Sequence, residues 1–430
     1  LRLAGGDCSD RYVIAGSLHR LRETLVWVVE RVPFYRERFA AAGVDPAQVT
    51  VDELRRIPVL RKADLVRTQR EQPPFGELLA VGRDEFASLH TSPGPIFIPR
   101  IAAERGGTAA LVHEIAMMGV KRGDVAHVTL NYHIMPGGLR IHRAFEEFGC
   151  LVLNGGVGNT EMQVQVARAY GATVYAGTPS FLRQIGIVAR EQGIDLRREM
   201  PYRVAFSTAE KLTPELRAEL DDMFGVELFD HIGEAQIGPV AGECRAHQGM
   251  HLSENDLFCE FLDPESGEPA SPGGVGELIA SHLGPRGLPL VRYAPGDAYR
   301  LLEGDCPCGN AQPRVEFFGQ VGAIRKVKGV LIHPIVVADY LARFPGTGRF
   351  QVIVEQRPGE SFERATLRVG VKDAASAGTD AGGDLAGRVS AGIKGALLIQ
   401  MDVDVCAEDE IPAEAAGPGF ARAIVSKSAA

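Results

Sequence analysis

No segment of the 430-residue chain approaches the roughly 18 consecutive apolar residues of a membrane span, and the opening LRLAGGDCSD lacks the long apolar core of a secretory leader. Together these absences lead to the expectation of a cytoplasmic protein. Positive charge is in short supply: 46 Lys and Arg stand against 55 Asp and Glu, a formal net charge of -9 at pH 7, and no basic stretch is long enough to track a phosphate backbone. Neither a nucleic acid nor a membrane is therefore expected as a partner. Seven cysteines are too few for a disulfide framework in a chain of this length. What is present is ordinary for a globular protein: 45% hydrophobic and 23% charged residues, with Gly 50 and Pro 26 providing many turns. The length exceeds that of a usual single core, so one large and one small domain are expected.

The first block, LHRLRETLVWVVERVPFYRERFAAAG, has apolar residues at helical spacing interrupted at Pro33, which predicts two consecutive helices. Between about Ser88 and Gly238 short apolar runs alternate with helical stretches. Strands are predicted at 124–130, 150–155, 172–177, 202–208 and 226–233, and helices at 137–149, 160–171, 179–193 and 213–225. That alternation is the pattern of β-α-β units on a largely parallel sheet. After Gly238 the helices stop, and strand–turn–strand patterns predict a small antiparallel or barrel-like region. The large domain is placed at 1–319 and a small α+β domain at 320–430, with a helix from Ile335 to Phe344. Residues 373–387, rich in Ala, Gly, Ser and Asp, are expected to be a flexible insertion.

Four residues suggest a metal. Cys244 and His251 flank a short polar segment, and Cys306 and Cys308 share a DCPCGN turn whose Pro and Gly would direct both sulfurs to one side. Three thiolates and one imidazole form a closed tetrahedral set suited to structural zinc, with His247 as the competing fourth ligand. Cys259 and Cys150 fall in or at apolar strands and read as small hydrophobes.

Several longer stretches carry a family likeness. VPFYRERFAAAGV, NYHIMPGGLRIHRAFEEFG, GGVGNTEMQVQVARAYGATVYAGTPSFL, LFDHIGEAQIGPVAGECRAHQGMH, DPESGEPASPGGVGEL, PLVRYAPGD and CPCGNAQPRVE occur in the order seen in the phenylacetate-CoA ligase branch of the adenylate-forming enzymes. The resemblance runs from about residue 13 to residue 345. It implies an α/β fold with a large N-terminal adenylate-forming domain, parallel sheets and a small mobile α+β C-terminal domain. It also implies ATP with magnesium, an aromatic or related acyl substrate, an acyl-adenylate, and transfer to coenzyme A or an amine. Some members of that family carry a zinc site.

Residue by residue, the likeness assigns Thr91, Ser92 and Gly94 of HTSPGPIFIPR to the phosphate loop. That loop is shorter than the family's, and Pro93 and Pro95 remove two amide donors. Gln236 stands where the family has a magnesium-binding Glu, and a neutral amide lacks the charge a hard cation prefers. Asp297 matches the ribose-binding Asp, while Thr208 and Glu210 match the adenine-side loop. Phe420 stands at the position of the near-terminal catalytic Lys. His133 and His231 are the candidate proton carriers. Three readings follow: a divergent ligase, an ATP-independent acid-base enzyme on the same scaffold, and a non-catalytic ligand-binding or partner protein. A homodimer is the base-rate expectation.

Overall fold

The computed structural model describes residues 14–92, 96–102, 104, 108–323, 325–327, 330–332, 334–356, 364–372, 380–397, 399–415 and 423–428. Among them, no helix is long and apolar enough to cross a membrane. The chain divides into two compact units. The larger runs up to Pro295 and takes in Leu301–Glu316, and the smaller holds Gly296–Arg300 and the chain from Phe317 onward.

The larger unit begins with β1 (Ile14–Ala15), α1 (Leu18–Arg31) and α2 (Pro33–Ala42). Ser17 caps α1 by accepting from the Arg20 N–H, and α1 buries Leu21, Thr24, Leu25 and Val28, one stripe of a 3.6-residue period. Pro33, with no N–H to donate, opens α2 as its first residue. Next come α3 (Val51–Leu54), β2 (Leu60–Arg61), α4 (Lys62–Glu71), the hairpin of β3 (Phe86–Ser92) and β4 (Ile96–Ile101), and α5 (Ala109–Met117).

The expected alternation follows: β5 (Val125–Val128), α6 (Pro136–Phe148), β6 (Leu151–Asn154), α7 (Thr160–Ala169), β7 (Val174–Gly177), α8 (Pro179–Glu191), α9 (Leu196–Glu199), β8 (Val204–Ser207), α10 (Pro214–Phe224) and β9 (Glu227–Glu234). Thr178 and Thr213 cap α8 and α10, each followed by Pro at the first helical position. Left-handed Gly149 and Gly225 close α6 and α10. The strands pair in parallel in the order β6-β5-β7-β8-β9. The order reverses beside β5, so the carboxyl ends of β5 and β7 border a switch point of the kind where α/β sheets take ligands.

Beyond β9 the pairing is antiparallel except where β14 also runs parallel to β2: β10 (Gly238–Glu243), β11 (Met250–Leu252), β12 (Leu257–Leu262), β13 (Val275–His282), β14 (Tyr293–Ala294), β15 (Asp297–Leu302) and β16 (Arg314–Gln320). A bulge between Pro239 and Ala241 interrupts the β9–β10 register.

The smaller unit has a ribbon of β17 (Arg325–Val327) and β18 (Val330–Ile332), then α11 (Pro334–Leu341), β19 (Thr347–Gln356), β20 (Arg364–Val371), α12 (Asp380–Leu397), β21 (Asp402–Ala407) and β22 (Ile424–Ser428). Its four-stranded sheet has the order β21-β20-β19-β22, and its core combines Val337 and Tyr340 of α11 with Val352, Leu367 and Val369 of the sheet. Residues 380–387, read from composition as flexible, form the first turns of α12. Leu385, Val389, Ile393 and Leu397, four residues apart, are buried against that core, and the burial overrides the low helix propensity of the glycines. Residues 373–379 and Phe420 lie outside the described residues.

Candidate functional site

Two residues far apart in sequence meet at the end of the β3–β4 hairpin. Ser92 ends β3, Gln236 lies in the turn between β9 and β10, and the Gln236 Nε2 donates to Ser92 Oγ at 2.7 Å. The other end of the amide, Oε1, is buried without a hydrogen-bond partner among the described residues, a costly state that a ligand donor would relieve. Thr91 donates its N–H to the Ile134 carbonyl at 2.9 Å, and its hydroxyl donates to Ser92 O at 3.3 Å. Gly94 lies outside the described residues. Ser92 and Gln236 offer a cation only neutral oxygens, which suits magnesium poorly.

Thr208 follows the carboxyl end of β8, is buried, and donates its N–H to Gly177 O at 3.1 Å. Among the described residues, the preceding Ser207 Oγ is buried with no hydrogen-bond partner. Glu210 accepts from the N–H and hydroxyl of Ser180 at 2.6 and 2.8 Å, at the amino end of α8. Asp297 opens β15 and is buried.

The two histidines differ sharply in setting. His133 is exposed, donates its N–H to Asn131 Oδ1 at 2.7 Å, and shares a recess with Tyr132, Gly155, Gly156 and Val157 beyond the carboxyl ends of β5 and β6. Gly155 is required there, because a Cβ would lie 2.5 Å from Gln163 Oε1 and 2.6 Å from His127 Nε2. His231, on β9, is buried at 5% exposure. Its Nδ1 lies 2.6 Å from Glu114 Oε2, and the other Glu114 oxygen accepts from Ser253 Oγ at 2.9 Å. Glu114, on α5, was not singled out in the sequence. It is the buried acid that fixes the imidazole's orientation. Next to His231, Asp230 is pushed up to about 7, by burial first and the neighbouring Glu243 second.

The predicted metal ligands converge. Cys244 follows β10, His251 lies on β11, and Cys306 and Cys308 sit in the loop between β15 and β16; β11 pairs with both β10 and β16. Their ligand atoms all lie within 4.8 Å of one another. Cys244 and Cys306 sulfurs are 3.6 Å apart, and Cys308 Sγ is 3.4 Å from His251 Nε2. Tetrahedral edges around an ion with bonds of about 2.3 Å to sulfur and about 2.0 Å to nitrogen are about 3.8 Å between sulfurs and about 3.5 Å from sulfur to nitrogen, so donor set and spacing both suit zinc. The second ring nitrogen of His251 lies 3.2 Å from Gln312 O, which orients the ring, and burial holds the imidazole below its ordinary pKa and hence neutral. His247, the alternative ligand, has each ring nitrogen 3.3 Å from a carboxylate, Glu243 or Glu227, and stands outside the cluster.

No family model matches the chain. Among curated proteins it is 32% identical over 364 residues to a phenylacetate-coenzyme A ligase of Thermus thermophilus, covering 82% of this chain and 80% of that one. It is 33% identical over 338 residues to a phenylacetate-coenzyme A ligase of Pseudomonas putida, covering 76% and 74%. Among solved structures, an open conformation of 2-hydroxyisobutyryl-CoA ligase in complex with 2-HIB-AMP and CoA matches with a TM-score of 0.84 at 22% identity, over 95% of this chain and 90% of that one. That structural likeness shows the fold.

Proposed function

This chain belongs to the phenylacetate-coenzyme A ligase family, and we propose that it activates a carboxylic acid with ATP as an acyl-adenylate and transfers the acyl group to coenzyme A. The likeness to four curated phenylacetate-coenzyme A ligases, over three quarters or more of the chain, is the observation that carries this reading. An aromatic acid is the class those relatives' names suggest.

In this reading a carboxylate oxygen attacks the α-phosphorus of ATP, the bond to pyrophosphate breaks, and the coenzyme A sulfur then displaces AMP at the acyl carbon. The family likeness assigns Thr208 and Glu210 to the adenine, Asp297 to the ribose hydroxyls, and Ser92 with Gln236 to the phosphates. Ser92 and Gln236 hold no metal in this scheme, and no step is assigned to one. Glu114 orients His231. Zinc held by Cys244, His251, Cys306 and Cys308 would be structural, with no open position for substrate.

The buried His231–Glu114 pair and the neutral Gln236 favour one second reading, acid-base chemistry without ATP. Calorimetry with ATP, followed by assay of pyrophosphate release with a panel of acids, decides between them. Saturable ATP binding, acid-dependent pyrophosphate and a thioester on adding coenzyme A are expected. Acid binding with no ATP binding would overturn the ligase reading.

A further inference from the structure

Within the larger unit, a cavity of about 620 Å³ opens between α6, the β3–β4 hairpin and the β9–β10 turn. Pro136, Leu139, Arg140 and Arg143 of α6 face it, at the i, i+3, i+4, i+7 spacing of a single helix stripe. Such a stripe ordinarily packs into a core; this one ends in two guanidinium groups. Arg100 of β4 and Arg286 add two more, and Arg286 is 7% exposed.

The acids around the cavity are already engaged. Glu146 pairs with His142 at 3.1 Å, and Glu147 accepts from Thr108 Oγ1 at 2.6 Å. Glu104 accepts the backbone N–H groups of Ile101 and Gly287 at 3.2 and 3.0 Å. Asp256 accepts from the Ala110 N–H at 3.3 Å and lies 3.6 Å from Arg286. Among the described residues, neither Arg140 nor Arg143 has a carboxylate within ion-pairing distance. Among the described residues, Gln236 Oε1 in the wall is buried without a hydrogen-bond partner, and Asp256 Oδ1 has Arg286 as its ion-pair partner.

The crowded guanidinium groups act on one another and on the wall histidines. Arg140 is brought down to about 10, by burial first and then by Arg286, with Glu104 and Asp256 acting in the opposite direction. His282 is held well below its ordinary value by burial, then by Arg286 and Arg140; His90 is lowered by burial, then by Arg140, Arg100 and Arg143. An anion in the cavity would offset the repulsion among these cations. The same wall carries Ile98, Leu139, Ile237 and Leu288, so the space suits an anion borne on a hydrocarbon body rather than a bare inorganic ion.

We propose that this cavity receives a second anionic group on the acid substrate, so that the acid is a dianion: a carboxylate to be activated, and a distal carboxylate or similar oxyanion held by Arg140 and Arg143. The proposal rests on the ligase reading for the fate of the first carboxylate, but the anion site itself is measured by binding alone.

The test uses the full chain without ATP and two matched pairs of probes, adipate against hexanoate and 4-carboxyphenylacetate against phenylacetate, by calorimetry at low and high salt. At least one dianion should bind 10-fold or more tightly than its monoanion, and raised salt should weaken the preference. Arg140→Gln and Arg143→Gln should abolish the preference, and Arg140→Lys should keep part of it. Unchanged thermal unfolding would show that the variants fold. Equal binding within both pairs, or a preference that survives both glutamine variants, overturns the proposal. So does Arg140-dependent binding of inorganic pyrophosphate with no discrimination between acids, since the cations would then serve the leaving group. If the dianion preference is present but no acid drives pyrophosphate release, the ligase reading fails and the anion site stands.

Discussion

Changing Cys306 and Cys308 together to serine removes two of the four groups whose ligand atoms lie within 4.8 Å of one another, and it leaves Cys244 and His251 unable to hold a tetrahedral ion. The consequence is large because the cluster ties the turn after β10, the strand β11 and the β15–β16 loop at one point. Arg314 is the loop's main other anchor, donating to the Glu303 and Gly304 carbonyls at 3.2 and 3.0 Å. With free zinc about 1,000-fold above its dissociation constant, the ion contributes about 4 kcal/mol to the folded state. In units of 150–250 residues, 1 kcal/mol moves the melting temperature by about 2–4 °C, and a larger unit sits at the low end, so a loss of about 8 °C is expected. Mass spectrometry of metal content should give one zinc per chain, absent in the double variant, and calorimetric scanning should give the shift. Protein purified free of metal, or a double variant that melts where the parent does, would refute the assignment.

Two further outcomes follow from buried charge. Arg292 and Glu260, 2% and 4% exposed, form a two-pronged ion pair at 3.0 and 3.1 Å, so Glu260→Ala should cost about 3–5 kcal/mol in urea unfolding. The double change Glu260→Leu with Arg292→Met should cost less than the two single changes added together. His127, fully buried between Tyr202 and Gln163, is lowered to about 4 by burial. The unfolded chain protonates this histidine near pH 6.5 and the folded chain does so only near 4, so stability falls as pH drops through that window, by about 3 kcal/mol at most. Urea midpoints from pH 7.5 to 4.5 should show the slope, and His127→Gln should flatten it.

The β-α-β half of the molecule could be read from sequence because local signals agreed: short, largely apolar strands, Thr-Pro helix starts at Thr178 and Thr213, and glycine ends at Gly149 and Gly225. The cysteine cluster was legible for a similar reason, since a CxC turn brings two thiols together without help from the fold. The rest depended on distance in the chain. His231 stood out, but Glu114, which holds it, is 117 positions away, and Ser92 and Gln236 are 144 apart. Arg140 and Arg143 were visible within a helical stretch, yet only the packed structure reveals that they share one cavity wall with Arg100 and Arg286. In α12 the error came from trusting composition over the four-residue spacing of Leu385, Val389 and Ile393.

The irregularity between Pro239 and Ala241 gives the sheet a slack link. The turn carrying Gln236 and Ile237 lies on one side of that offset, and Cys244 with the end of β10 lies on the other, so a one-residue change in the turn meets an already irregular link before it reaches the cysteine cluster.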